Sequence, residues 1–185
     1  MRIVGGALRG RTLQAPSGRD IRPTSDRLRE SLFNILQHGY GFSFEAAFII
    51  DVFAGTGALG LEALSRGAAF ALFVDSGAEA RALLRQNIEA LGQGGKSRIF
   101  RRDAAQLGEA PPGQTFDLAL LDPPYGAGLA DLALAGLVSG GWLKPGALVV
   151  VEEEAGSAVA APQGLALQES RHFGATALHF FALQS

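Results

Sequence analysis

Residues 49–60, I-I-D-V-F-A-G-T-G-A-L-G, constrain this chain more than any other stretch. An apolar run, Phe48-Ile49-Ile50, ends at Asp51; Val52, Phe53 and Ala54 follow, then glycines at Gly55, Gly57 and Gly60. Leu59, Leu61 and Leu64 recur at helical spacing as far as Gly67, a helix stop. The stretch therefore predicts strand, glycine turn, helix. Glycine serves where the backbone must take positive φ or lie directly against a ligand. The helix opening after the turn presents free N–H groups and a positive dipole end. Residues 55–60 also satisfy G-x-G-x-x-G, and Asp75 stands 20 residues beyond Gly55, where a ribose-binding acid would be. By itself the stretch does not separate a nicotinamide dinucleotide from another adenosine cofactor. A βα turn without a ligand is the plainer alternative, and the strand–turn–helix order weighs against it.

With 185 residues, 48% of them hydrophobic, the chain is expected to form one domain, burying about 70% of its unfolded surface. It has no cysteine, which excludes disulfides, thiolate metal sites and a thiol nucleophile. Residues 1–6 lack the apolar core of a signal peptide, and no apolar run approaches the roughly 18 residues of a membrane span; a cytoplasmic location is expected. The net charge is −2 but unevenly spread: residues 1–40 hold seven arginines against three acids, a net +4, leaving −6 on the rest. Lys96, Arg98, Arg101 and Arg102 form a second basic cluster. Either these are ordinary solvated arginines, or residues 1–40 are a phosphate-contacting arm on a catalytic body, residues 41–185.

In chain order, Ile3-Val4 and residues 11–14 predict a small hairpin. Pro23 disfavours helix at Arg22, and Thr24 or Ser25 can cap the helix that follows. Arg27 and Arg29 lie in its first turn, where the dipole disfavours cations; an anion nearby or an ion pair to Asp26 or Glu30 would answer that. Residues 69–75 predict a buried strand, 78–91 a helix, 98–102 and 116–121 strands, 129–138 a helix and 147–151 a strand, with 140–146 as a link. Glu152, Glu153 and Glu154 read as a solvated strand end, and residues 165–171 and 175–183 as a closing hairpin. The fold expected is α/β: a doubly wound, mostly parallel seven-stranded sheet with an antiparallel C-terminal strand and a small N-terminal extension. Four strands then deliver a carboxylate at the carboxyl end: Asp51, Asp75, Asp103 and Asp122. In a doubly wound sheet those ends line one edge, where ligands bind. His38, His172 and His179 fit no metal-ligand spacing, and no metal site is expected.

Asp122-Pro123-Pro124-Tyr125 separates the cofactor alternatives. Two prolines pin the backbone and remove two donors, leaving a carboxylate, carbonyls and an aromatic ring. Such a clamp suits a flat group with an exocyclic amine: acceptors take its N–H bonds and the ring covers its face. A nicotinamide dehydrogenase has no evident use for it.

The glycine stretch, the ribose acid and Asp-Pro-Pro-Tyr together resemble a class I, S-adenosylmethionine-dependent amino-methyltransferase. The pattern Arg2-Ile3-Val4-Gly5-Gly6 with Arg9-Gly10-Arg11, then 22–27 (R-P-T-S-D-R) and 30–35 (E-S-L-F-N-I), resembles the RsmD family, bacterial guanine-N2 methyltransferases of 16S ribosomal RNA. Asp-Pro-Pro-Tyr is shared with adenine-N6 and cytosine-N4 enzymes; the N-terminal pattern carries the guanine assignment. The resemblance implies that Asp51, Phe53, Ala54, Gly55 and Gly57 hold the methionine end of the cofactor. It implies Asp75 for the ribose, Asp103 and Ala104 for the adenine, and Arg22 and Thr24 folded over the cofactor beside Asp122. Position 75 is Asp where Glu is common in such enzymes, which shortens the reach. Asp122, Pro123, Pro124 and Tyr125 would be catalytic, S-adenosylhomocysteine the product, and Arg9, Arg11, Arg19 and Arg27 RNA contacts. The partner implied is 16S rRNA within an assembling or assembled small subunit, met by a monomer. Other amine targets, or a non-catalytic RNA-binding module, are the alternatives.

Overall fold

The computed structural model describes residues 1–17, 24–126 and 128–184. Arg19 and Arg22 lie outside the described residues. Seven strands form one sheet: β1 (Phe48–Val52), β2 (Phe70–Val74), β3 (Ser97–Phe100), β4 (Phe116–Leu121), β5 (Leu143–Glu154), β6 (Leu165–Phe173) and β7 (Thr176–Leu183). Their order is β3-β2-β1-β4-β5-β7-β6. The first five pair in parallel, and the β6–β7 hairpin adds two antiparallel strands. The expected doubly wound, mostly parallel sheet is therefore present, with an antiparallel pair at one edge.

Side-chain alternation divides the core into two layers. Ile49, Ala71, Phe73, Leu118, Leu120 and Val150 face α1 (Asp26–Asn34), α2 (Ala58–Ser65) and α3 (Ala78–Ala90). Ile50, Val52, Leu72, Val74, Ala119, Leu121 and Val151 face α4 (Leu129–Ser139) and the buried Trp142. Burial on both faces explains why the parallel strands read as unbroken apolar runs.

Helix α2 is buried along its whole length, because the N-terminal segment covers its outer side. The N–H groups of Val4 and Gly5 each donate to the buried Glu62 carboxylate at 2.9 Å, and Leu8 N–H donates to Ser65 Oγ at 2.9 Å. A Cβ on Gly6 would lie 2.0 Å from the Ser65 carbonyl oxygen, so only glycine fits there. The predicted hairpin is reduced to one antiparallel bridge, Arg2–Thr12. The chain between those residues turns back on itself, Ile3 N–H donating to the Arg11 carbonyl at 2.9 Å and Gly10 N–H to the Ile3 carbonyl at 2.8 Å, and also docks on α2.

Several boundaries differ from expectation. β1 runs through Asp51 to Val52, β3 stops at Phe100, and β5 takes in the predicted link at Lys144-Pro145-Gly146. The last is possible because the β4–β5 register shifts between Phe116 and Leu118. A bulge accommodates a proline without an N–H and Gly146 at φ 76°. Ser25, not Thr24, caps α1, accepting from Leu28 N–H at 3.0 Å. Glu152 and Glu153 are buried, not solvated, because β7 pairs alongside them: Glu152 faces Leu178 and Glu153 faces Ala177. Among the described residues no helix is long and apolar enough to cross a membrane.

Candidate active site

The chain runs outward through β1, β2 and β3, then returns to place β4 against the other side of β1. At that reversal the flanking loops diverge and leave a crevice at the carboxyl ends. A cleft of about 700 Å³ lies there. Asp51, Asp75, Asp103 and Asp122 all line it, as do Phe53, Ala54, Gly55, Ala104, Pro123, Pro124, Tyr125 and Thr24. The four carboxylates predicted to share one edge are thus brought together.

Each is placed by its own strand end. Asp51 is buried, and its Oδ2 accepts the Gly60 N–H of α2 at 2.9 Å. Asp51 Oδ1 is buried without a hydrogen-bond partner among the described residues. Burial pushes the Asp51 carboxyl well above the usual carboxylate range; the Gly60 N–H opposes this, and the charges of Asp122 and Asp75 add to it. A buried acceptor in this condition calls for a cationic donor, and an amino acid ammonium fits.

Asp75 takes the Gly55 N–H on Oδ2 and the Gly77 N–H on Oδ1, both at 2.9 Å, tying the β1 and β2 loops together. Each oxygen keeps a lone pair for a ligand hydroxyl. Asp103 caps a short helical turn, its Oδ1 accepting from Ala105 N–H at 2.9 Å. The set of acceptors thus suits a ligand with an ammonium at one end and vicinal hydroxyls at the other. No cluster that would hold a metal ion occurs among the described residues.

The glycines divide their work. Gly55 lines the cleft at φ 56°. Gly57 does not line it: it opens α2 at φ 81°, and a Cβ there would lie 2.3 Å from Leu84 Cδ1 of α3. A Cβ on Gly60 would meet the Phe73 ring at 2.4 Å, so this glycine allows close approach of helix and strand. Phe53 takes φ 61°, a strained conformation for a side chain of its size.

Beside Asp122, the Tyr125 hydroxyl is hydrogen-bonded to Thr176 Oγ1 of β7 at 3.2 Å. The antiparallel hairpin therefore holds the aromatic ring of the clamp. Thr24 Oγ1 lies 3.1 Å from Asp122 Oδ2 and 2.8 Å from Glu152 Oε2. Glu152 was missed by sequence reasoning, although it ends an apolar run just as the other four acids do. Met1, Thr56 and Arg102 also line the cleft and carried no sequence signal for it.

Of the predicted RNA contacts, Arg9, Arg11 and Arg27 are exposed and none lines this cleft. Arg11 donates to the Ala90 carbonyl at the end of α3, 2.7 Å away. Arg29 is instead fully buried, paired with Glu62 at 3.3 Å and Asp26 at 3.0 Å. That ion pair answers the puzzle of a cation in the first turn of α1.

The model of the family described as conserved hypothetical protein 95 matches residues 1–182. A curated relative, ribosomal RNA small subunit methyltransferase D of Escherichia coli, is 39% identical over 154 residues, 83% of this chain and 75% of that protein. The solved yhhF protein of Escherichia coli superposes with a TM-score of 0.86 at 33% identity, covering 100% of this chain and 98% of that one. A more distant structure, an RNA methyltransferase of Salinibacter ruber in complex with S-adenosyl-L-homocysteine, shares the fold. Its TM-score is 0.67 at 13% identity, over 89% of this chain and 95% of that one.

Proposed function

The chain belongs to the conserved hypothetical protein 95 family, the RsmD family, and from that premise we propose that it methylates the N2 amine of a guanine in 16S ribosomal RNA, with S-adenosylmethionine as donor and S-adenosylhomocysteine as product. Ribosomal RNA methylation follows from the family. The clamp supports an amine as the target, and guanine-N2 rests on the N-terminal pattern. The observation that carries the reading is the meeting of two grips in one cleft: the carboxylates of Asp51, Asp75 and Asp103, and the Asp122–Tyr125 clamp.

The bound cofactor supplies an activated methyl on a sulfonium. Asp51 takes the ammonium, Asp75 the ribose hydroxyls, and Asp103 with Ala104 the adenine edge. The guanine 2-amino group is a poor nucleophile because its lone pair is delocalised into the ring. Asp122 Oδ and the Pro123 carbonyl accept its two N–H bonds and favour the tetrahedral nitrogen of the transition state. Tyr125, held by Thr176, covers the face of the base. Most of the catalysis is positioning. In a duplex the amine would lie in the minor groove, so the target is unpaired or flipped out. Arg9, Arg11, Arg19 and Arg27 contact phosphates of an assembling or assembled small subunit, and the enzyme acts as a cytoplasmic monomer.

The test is methyl transfer from labelled S-adenosylmethionine to small-subunit particles from a strain lacking this protein, followed by nucleoside separation. Label in N2-methylguanosine is expected. Label in another nucleoside would retain the chemistry and remove the guanine assignment.

A further inference from the structure

One carboxylate at the sheet edge is unused by the reaction described above. Glu152 is 6% exposed. The β4–β5 register pairs Leu121 with Val151, so the next residues of these parallel strands, Asp122 and Glu152, are neighbours. The Thr24 hydroxyl stands between them, at 2.8 Å from Glu152 and 3.1 Å from Asp122. A hydroxyl has one proton to donate, and the shorter contact assigns it to Glu152.

Glu152 also lies at a seam. Besides the main cleft it lines a second hollow of about 400 Å³, walled by Ser25, Arg27 and Ser31 from the α1 side and by Phe173, Gly174 and Thr176 from the β6–β7 hairpin. Thr176 is the residue that holds Tyr125. The second hollow therefore borders the clamp, shares Thr24 and Glu152 with the main cleft, and has room for a purine.

The chemistry at the seam distinguishes bases. Asp-Pro-Pro-Tyr recognises an amine, and guanine and adenine both have one. Beside its 2-amino group guanine carries a donor, N1–H, where adenine has an N1 lone pair. A carboxylate accepts from the first and repels the second. We propose that Glu152 is the specificity-determining residue: it accepts the guanine N1–H while Asp122 takes the adjacent amine. This rests on the guanine reading above. The two carboxylates form a paired acceptor edge matched to the N1–H and N2–H₂ edge of guanine. Thr24 stands between them, engaging one oxygen of Glu152 and lying 3.1 Å from Asp122 Oδ2.

The test replaces the methylated guanine, once located by nucleoside analysis, with 2-aminopurine in reconstituted particles. 2-Aminopurine keeps the 2-amino group but lacks N1–H and O6. Wild-type enzyme is expected to lose about 10- to 100-fold in kcat/KM on 2-aminopurine. Glu152→Ala should shrink that ratio to the residue due to O6, and Glu152→Gln should shrink it in part. The isosteric Glu152→Gln can still accept from Thr24, so a merely structural Glu152 would leave both its turnover and its base ratio at the wild-type values. Cofactor affinity and Tm, measured for each variant, identify any that has not folded. The proposal is overturned if wild type treats the two bases alike, or if Glu152→Ala keeps the wild-type ratio. Wild-type label in a nucleoside other than N2-methylguanosine would instead remove the guanine reading on which it rests.

Discussion

At the scale of the residue, the role proposed for Asp51 sets function against stability. Its carboxyl is buried beside two like charges, with one oxygen unpartnered among the described residues. An acid whose folded pKa is raised binds protons more readily when folded. Its cost is absent below the unfolded pKa and grows as pH rises toward the folded one. Asp51→Asn keeps the acceptor for Gly60 N–H and removes the charge. The ligand-free variant is expected to melt a few degrees higher than wild type at neutral pH, with the gain gone below about pH 4. Its cofactor affinity should fall by at least about tenfold, since a charged hydrogen bond contributes about 1.5–3 kcal/mol. Thermal scans across pH and calorimetric titration check both halves; unchanged affinity would remove Asp51 from the ammonium site. Asp122 answers a different test. Asp122→Ala is expected to lower kcat by about 10²–10³-fold, read in single-turnover methyl transfer, with Asp51 and Asp75 still holding the cofactor.

Among the elements, α2 and the N-terminal segment form one unit. Glu62 takes two backbone N–H groups from the segment and pairs with Arg29 and Arg66, all around one buried carboxylate. Removing it takes from the buried Arg29 guanidinium its buried carboxylate partner, leaving Asp26, and takes the acceptor from the Val4 and Gly5 N–H groups. Glu62→Ala is expected to destabilise the fold by about 3–5 kcal/mol. Urea unfolding gives the energy, and faster proteolysis near residues 5–9 would show that the segment has detached. A variant unfolding at the wild-type midpoint would contradict the role given to Glu62. The glycine pair that reads as a hairpin turn is also a close-contact surface: the Gly6 carbonyl accepts the Arg9 N–H at 3.3 Å while its backbone packs on Ser65. Sequence patterning showed the turn and not the contact, because both need glycine at positive φ.

For the whole molecule, charge is the relevant quantity. A net +4 over residues 1–40 is carried by a chain of net −2, and Arg29, one of the seven arginines, is internal. Arg9 and Arg11 remain exposed on the segment that covers α2. Replacing both with Ala is expected to reduce the slope of log affinity against log salt by about 1–2 in RNA binding, leaving cofactor affinity unaltered. An unchanged slope would place the RNA-contacting surface elsewhere, the cluster at Lys96, Arg98 and Arg101 being the next to test.

What the sequence by itself determined is local: an apolar run closed by an acid, a glycine turn opening a helix, and two prolines before a tyrosine. Each is set by neighbours within a few residues, so Asp51, Asp75, Asp103 and Asp122 were legible, as was the parallel sheet that aligns them. Tertiary structure alone decided the fate of Glu152. It ends the same kind of run, yet three successive glutamates read as solvated. Its burial comes from β7 pairing along β5, and its partner Thr24 arrives from 128 residues away. Nothing within a few residues of Glu152 encodes either contact. The same holds for Tyr125, whose ring is held by Thr176 from 51 residues further on. The carboxylates and the clamp were written locally, while the shape of the cleft around them awaited strands and loops distant in the chain.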